Sequence, residues 1–275
     1  MNGNKERLVN DKWLDVRNEL QRRRDVLVSR SHDDSSPMEP FERARIQPLL
    51  ERWEAPPPPI DIPNVVKQFC VSAFSYAPLR NNFFKPLADG LPTRDNIARA
   101  LSRAFDEARF LDNDNWLPAP LERLALAIQR KHKFDLSSRQ FKPRVVGVLL
   151  TGSRKLGEEL SGGLHGFYER IARVSDAASM WDLVNDFSKS IHLVGPALIC
   201  DFFKEIGFVR YVKIDHHFGK QLPKLVNVDG NCRLNPKRSF LMSQEIADAV
   251  GMTPFHLDSI LYLWGRYGDR KTGLN

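Results

Sequence analysis

The chain has 275 residues, 42% hydrophobic and 27% charged, with three cysteines and a formal net charge of +7. That apolar content supplies a sizeable core and excludes a disordered polymer. Three scattered cysteines without a CxxC exclude a disulfide scaffold and a zinc ribbon, and fit a reducing, cytoplasmic compartment. The basic balance suits an anionic partner, nucleic acid before a membrane surface.

The first residues, "MNGNKERLVNDKW", are charged at once, so no signal peptide is expected, and no later stretch is apolar enough for a membrane span. Lys5 to Val28 carries Val9, Trp13, Val16, Leu20 and Leu27 at helical spacings, with Arg24 interrupting the stripe. "SRSHDDSSPMEP" breaks that pattern as a loop, and a short helix is expected from Pro40 to Trp53. "APPPPIDIP" reads as an extended polyproline connector. It divides an N-terminal extension, residues 1–60, from a helical domain, residues 61–275.

Beyond the connector the chain reads as all-α. Helices are expected at Asn64 to Tyr76, Thr93 to Phe110, Ala119 to Lys131 and within Val145 to Leu160. The glycine-rich "TGSRKLGEELSGGLHGF" lacks the spacing of a P-loop and reads as a helix junction. Ser175 or Asp176 caps a helix whose apolar face is Met180, Leu183, Val184 and Phe187. Further helices are expected at Pro196 to Ile206, Ser243 to Val250 and Pro254 to Tyr267, the last with Thr253 as N-cap.

Two segments carry the candidate chemistry. In "SIHLVGPALICDFF" a tight turn joins two helices. Gly195 lets a backbone turn sharply and approach a partner, and the second helix offers N–H groups to an anion such as a phosphate. Lys189 and His192 flank the turn, and Pro196 and Ala197 open the second helix. The same pattern also describes an ordinary αα-hairpin. About twenty residues on, "YVKIDHHFGKQL" holds Lys213, Asp215, His216, His217 and Lys220. Adjacent histidines diverge on most backbones and no HxxxH is present, so a transition metal is not expected. Asp215 suits either general-base work or the N-cap of a helix.

Together the two segments resemble the helix-hairpin-helix superfamily of DNA base-excision glycosylases. The family's hairpin has the form hydrophobic-x-Gly-hydrophobic-Gly and is followed by a Val-Asp-x-His element. Here "IHLVG" looks like the first and "IDHH" like the second, and "LDSILYLWGRYG" looks like the late helix of that fold. The resemblance covers residues 177–268, about a third of the chain. It implies a helical glycosylase-like fold, a double-stranded DNA partner, no membrane, a monomer, and Asp215 as the catalytic carboxylate.

By the same resemblance Lys189, His192, Gly195, Pro196, Ala197, Lys213 and His217 face DNA, and a monovalent cation at the hairpin is the only cofactor in view. Two positions depart from the pattern. Leu193 stands where the family has its first glycine, and Ala197 where bifunctional members carry the Schiff-base lysine. The latter implies a monofunctional enzyme that leaves an abasic site.

A carboxylate beside the anomeric carbon stabilises the positive charge that grows on the sugar as the base leaves. Lys213 and Lys220, if near, would favour its ionised form. The base must be flipped into a pocket. Tyr76, Arg80, Asn81, Asn82 and Phe83 in "FSYAPLRNNFFKPL", with Phe84 and Trp116 behind them, are candidates for its walls or for filling the vacated gap. The substrate is a damaged base or a modified base of foreign DNA, which would make the protein a defence against phage. A non-catalytic helix-hairpin-helix DNA-binding protein and a helical interaction protein are the other readings.

Overall fold

The computed structural model describes residues 2–36, 38, 43, 44, 46–55, 57–59, 61–74, 148, 151, 152, 154–226 and 235–268. Among these residues helices are the only regular structure, as an all-α chain requires. In chain order they are α1 (Asn2–Ser31), α2 (Ile62–Phe74), α3 (Gly163–Arg173), α4 (Ala177–Ser190), α5 (Pro196–Glu205), α6 (His216–Leu225), α7 (Pro236–Val250) and α8 (Pro254–Leu263). Two π-helical turns, Gln47–Glu51 and Trp264–Gly268, stand beside them, with further helical residues at 154–159. None of these helices is long and apolar enough to cross a membrane. The helices expected at Thr93 to Phe110 and Ala119 to Lys131 lie outside the described residues.

The chain divides into two compact units, Met1–Pro56 with Gly207–Asn275, and Pro57–Ile206. The divisions fall between Pro56 and Pro57 and between Ile206 and Gly207. There Gly207, at φ +101°, ends the hairpin helix, and the chain beyond it packs with α1 rather than continuing the preceding bundle.

In the first unit α1 packs on α7, α8 and both π-helical turns. Its inward line is Val16, Leu20, Arg23 and Leu27, and both leucines are fully buried. The stripe is therefore occupied by Arg23, while Arg24 lies beside it and bonds the Leu50 carbonyl at 2.6 Å. Arg23 is only 6% exposed. It is satisfied by Glu19 at 2.7 Å and by Gln221 Oε1 at 3.4 Å, and it lies over the Trp264 ring at 5.4 Å. Buried charge is tolerated when it is paired in this way.

The second unit is organised around α5, which packs on α2 and α4. Phe69 meets Phe202 edge-on at 5.4 Å, and Phe187 meets Phe203 at 5.1 Å. Such edge-to-face pairs add about 0.5–1.5 kcal/mol each beyond their burial. Glu159 is clamped by Lys155 and Arg170, and Lys155 also reaches Asp186 of α4.

Several element boundaries differ from expectation. Of the helix expected over Pro40 to Trp53, the described residues 43, 44 and 46 are α-helical and Gln47–Glu51 is a π-helical turn. The connector's last residues, Ile62 and Pro63, belong to α2, since a proline in the first turn loses no hydrogen bond. The glycine-rich junction contains helical residues at 154–159 and the first residues of α3, Gly163 to Phe167, with Gly163 at φ +81° where the chain turns between them. α7 begins at Pro236 rather than Ser243, because the Asn235 side chain accepts from the Arg238 N–H at 2.8 Å and caps it there.

Candidate functional site

The hairpin is built from α4, a turn over residues 191–195, and α5. The Asp176 side chain caps α4 by accepting from the Ser179 N–H at 2.9 Å. At the other end the Ser188 hydroxyl donates to the Val194 carbonyl at 2.9 Å, and the His192 N–H donates to Thr151 Oγ1 at 2.8 Å. These bonds fix the turn from both sides.

Within the turn the roles of two residues differ from expectation. Gly195 is extended, at φ −80° and ψ 167°, and a Cβ added to it would meet nothing within 4 Å. The left-handed residue is Leu193, at φ +56°, with half of its surface exposed. The backbone thus takes a glycine-favouring conformation at the position where the resembled family has a glycine, although the residue is leucine. Gly195 is instead the N-cap of α5, and no side chain caps that end. Lys189, His192 and Gly195 are exposed, and Pro196 and Ala197 are half-buried. Lys189 also lies in the last turn of α4, where a cation complements the helix dipole.

The acid element belongs to the other unit. Asp215 is the N-cap of α6, and its Oδ1 accepts from the Phe218 N–H at 2.9 Å. Its own N–H bonds the Lys213 carbonyl at 2.7 Å, and its carbonyl accepts from the Gly219 N–H at 2.8 Å. The Lys213 N–H in turn reaches Oδ2 of Asp258 on α8, at 3.3 Å. The carboxylate is therefore held through one oxygen, and among the described residues its second oxygen has no bonding partner. Nor does Asp215 form an ion pair among those residues, so neither Lys213 nor Lys220 holds it by direct contact.

The two histidine rings meet edge-on at 5.9 Å but differ in their surroundings. His216 is exposed, whereas the His217 ring meets Tyr262 edge-on at 5.6 Å. Gly265 lets α6 approach closely here. A Cβ on it would sit 3.3 Å from His217 Nδ1 and from Gln221 Cγ. Tyr262, Gly265 and Gln221 thus shape this site, and sequence reading missed them. The signal for Gly265 was its place inside the aromatic run "YLWGRYG", where a glycine serves close packing.

Lys213, Asp215, His216 and His217 share one loop and helix start, while Lys189, His192, Gly195, Pro196 and Ala197 share the hairpin of the other unit. Tyr76, Arg80, Asn81, Asn82, Phe83, Phe84 and Trp116 lie outside the described residues. Comparison with known proteins finds no matching family model, curated protein or solved structure.

Proposed function

We propose that this protein is a monofunctional DNA glycosylase of the helix-hairpin-helix type. The observation that carries the proposal is the Asp215 carboxylate, held by the Phe218 N–H through one oxygen and presenting the other. It stands in an Ile-Asp-His-His element that resembles the family's catalytic one. Support comes from Leu193, whose left-handed backbone matches the conformation that the family's hairpin glycine would adopt.

In this reading the hairpin amides and Lys189 bind phosphates without reading bases, and the target base leaves the stack. As the C1′–N bond lengthens, the Asp215 carboxylate stabilises the cationic sugar and orients a water. The hydroxyl of that water bonds C1′, its proton passes to the departing base, and an abasic site remains. Position 197 is alanine and supplies no amine for a Schiff base. The substrate is a damaged base or a modified base of foreign DNA, met by a monomer in the reducing cytoplasm.

A second reading has its own observation. An N-cap fully accounts for an aspartate at position 215, so the fold could bind DNA without chemistry. Two variants separate the readings. Asparagine caps a helix as well as aspartate, so Asp215→Asn removes the charge and keeps the cap, whereas Asp215→Ala loses the cap at about 1 kcal/mol. The glycosylase reading predicts loss of base release in both variants, with a lowered melting temperature only in the alanine form.

A further inference from the structure

We infer that the exposed face of α6 is a rail for a nucleic-acid backbone, with Lys220 and Lys224 as its cationic steps and the His216 ring as a hydrogen-bonding step at its head. The inference rests on the nucleic-acid part of the reading above and not on the chemistry of Asp215. α6 has the sequence HHFGKQLPKL and contains no acid. Phe218, Gln221, Leu222, Pro223 and Leu225 are buried, which fixes the helix's rotation. His216, Lys220 and Lys224 are all exposed. They stand four residues apart, so they fall on one side of the helix in steps of about 6 Å, over about 12 Å in all.

A duplex strand carries a phosphate about every 3.4 Å along its axis, so a row of that length spans three to four of them. Between the first two steps lies Gly219, where an added Cβ would meet nothing within 4 Å. The surface there is open, and a sugar–phosphate chain can approach the helix backbone closely.

The surroundings favour this occupant. Of the elements that meet α6, the π-helical turn WGRYG has no acid, the acid of α8 is Asp258, only 3% exposed, and α1, which reaches α6 through Arg23 and Gln221, has its Glu19 paired with Arg22 and Arg23. α7 carries the exposed Glu245 and Asp248 in its second half. An interfacial membrane helix needs apolar side chains beside its cations to enter the acyl boundary. The exposed residues of α6 are histidine and lysine alone, so nothing on that face inserts. Asp215 caps the start of the same helix, so a strand held along the rail runs past the candidate carboxylate.

The test compares the full-length protein with Lys220→Gln/Lys224→Gln, the matching double arginine variant, and Arg173→Gln as a surface-charge control in the other unit. Binding to an unmodified 20-base-pair duplex is measured by fluorescence anisotropy over a series of salt concentrations. Binding to vesicles of phosphatidylcholine with phosphatidylserine is measured beside it. Each lost phosphate contact lowers the slope of log K against log salt by about 0.9, so the glutamine pair is expected to lower it by about 1.8. The arginine pair restores the slope, and Arg173→Gln leaves it unchanged. An unchanged slope in the glutamine pair, with the wild type binding DNA, overturns the rail and leaves the glycosylase reading standing. A wild type that binds vesicles but no duplex overturns both.

Discussion

Leu193 sits at φ +56°, a conformation that costs a side-chain-bearing residue about 1–2 kcal/mol relative to glycine. Glycine gives back about 0.5–1 kcal/mol of that through its freer unfolded chain. Leu193→Gly is therefore expected to leave the melting temperature unchanged or raise it slightly. Gly195→Ala is expected to be equally silent in stability, since the backbone is extended and the added methyl meets open space. Any loss of duplex affinity in that variant then reports a partner approaching the hairpin, and unchanged affinity and salt slope would remove the hairpin from the interface.

His256 provides a residue-scale pH prediction. It is 8% exposed, its Nε2–H donates to the Trp53 carbonyl at 3.1 Å, and Thr253 Oγ1 lies 2.8 Å from Nδ1. Burial pushes its pKa below the ordinary 6.5. The unfolded chain thus binds the proton more readily than the folded one. The contribution of His256 is complete above about pH 6.5 and is lost as pH falls from there through the lower folded value. Denaturant midpoints should fall between pH 7 and 5 in the wild type, and His256→Gln should flatten that dependence.

At the scale of elements, α1 makes a second acid-linked prediction. Hydrogen bonding from Arg22, with help from Arg23, lowers the Glu19 pKa from 4.5 to about 2. The contribution of Glu19 is whole above about pH 4.5 and is lost as pH falls through 2, so Glu19→Gln should be less sensitive to acid than the wild type. Leu27, fully buried in the same helix, should cost about 2–5 kcal/mol as alanine in urea melts.

The sequence made such helices legible where periodicity and caps agree. Of the pair Ser175 or Asp176 it is Asp176 that caps α4, Thr253 caps α8 as read, and of the expected face Met180, Val184 and Phe187 are buried while Leu183 is half-buried. It misplaced Arg23 and Arg24, because the two are adjacent and only the long-range contacts of Arg23 with Gln221 and Trp264, beside its local pair with Glu19, decide which turns inward. α3 was hidden because its glycines read locally as breakers, while its stability comes from burying Phe167 and Ile171. Asp215 was legible as a residue, but its capping bond to Phe218 appears only once α6 is formed.

At the scale of the molecule, the acid element and the hairpin belong to different compact units, and the segment that holds the first joins the N-terminal helix rather than the residues just before it. A contiguous sequence motif does not reveal that. Periodicity reports which face of a helix is buried, not which distant segment buries it. The net charge of +7 belongs to this scale as well. On the proposed function it predicts that duplex affinity falls steeply with salt, whichever local contacts carry specificity.

The central claim is tested most directly by base release from duplexes carrying damaged bases and from phage DNAs with natural base modifications. Each product is heated in alkali, and Asp215→Asn is run beside the wild type with melting curves for both. Alkali-dependent breaks in the wild type, absent in a variant that melts at the same temperature, are the predicted result and would name the substrate class. Breaks that persist in Asp215→Asn would contradict the role of the carboxylate. Duplex binding without breaks on any substrate would make the protein a DNA-binding helix-hairpin-helix chain instead.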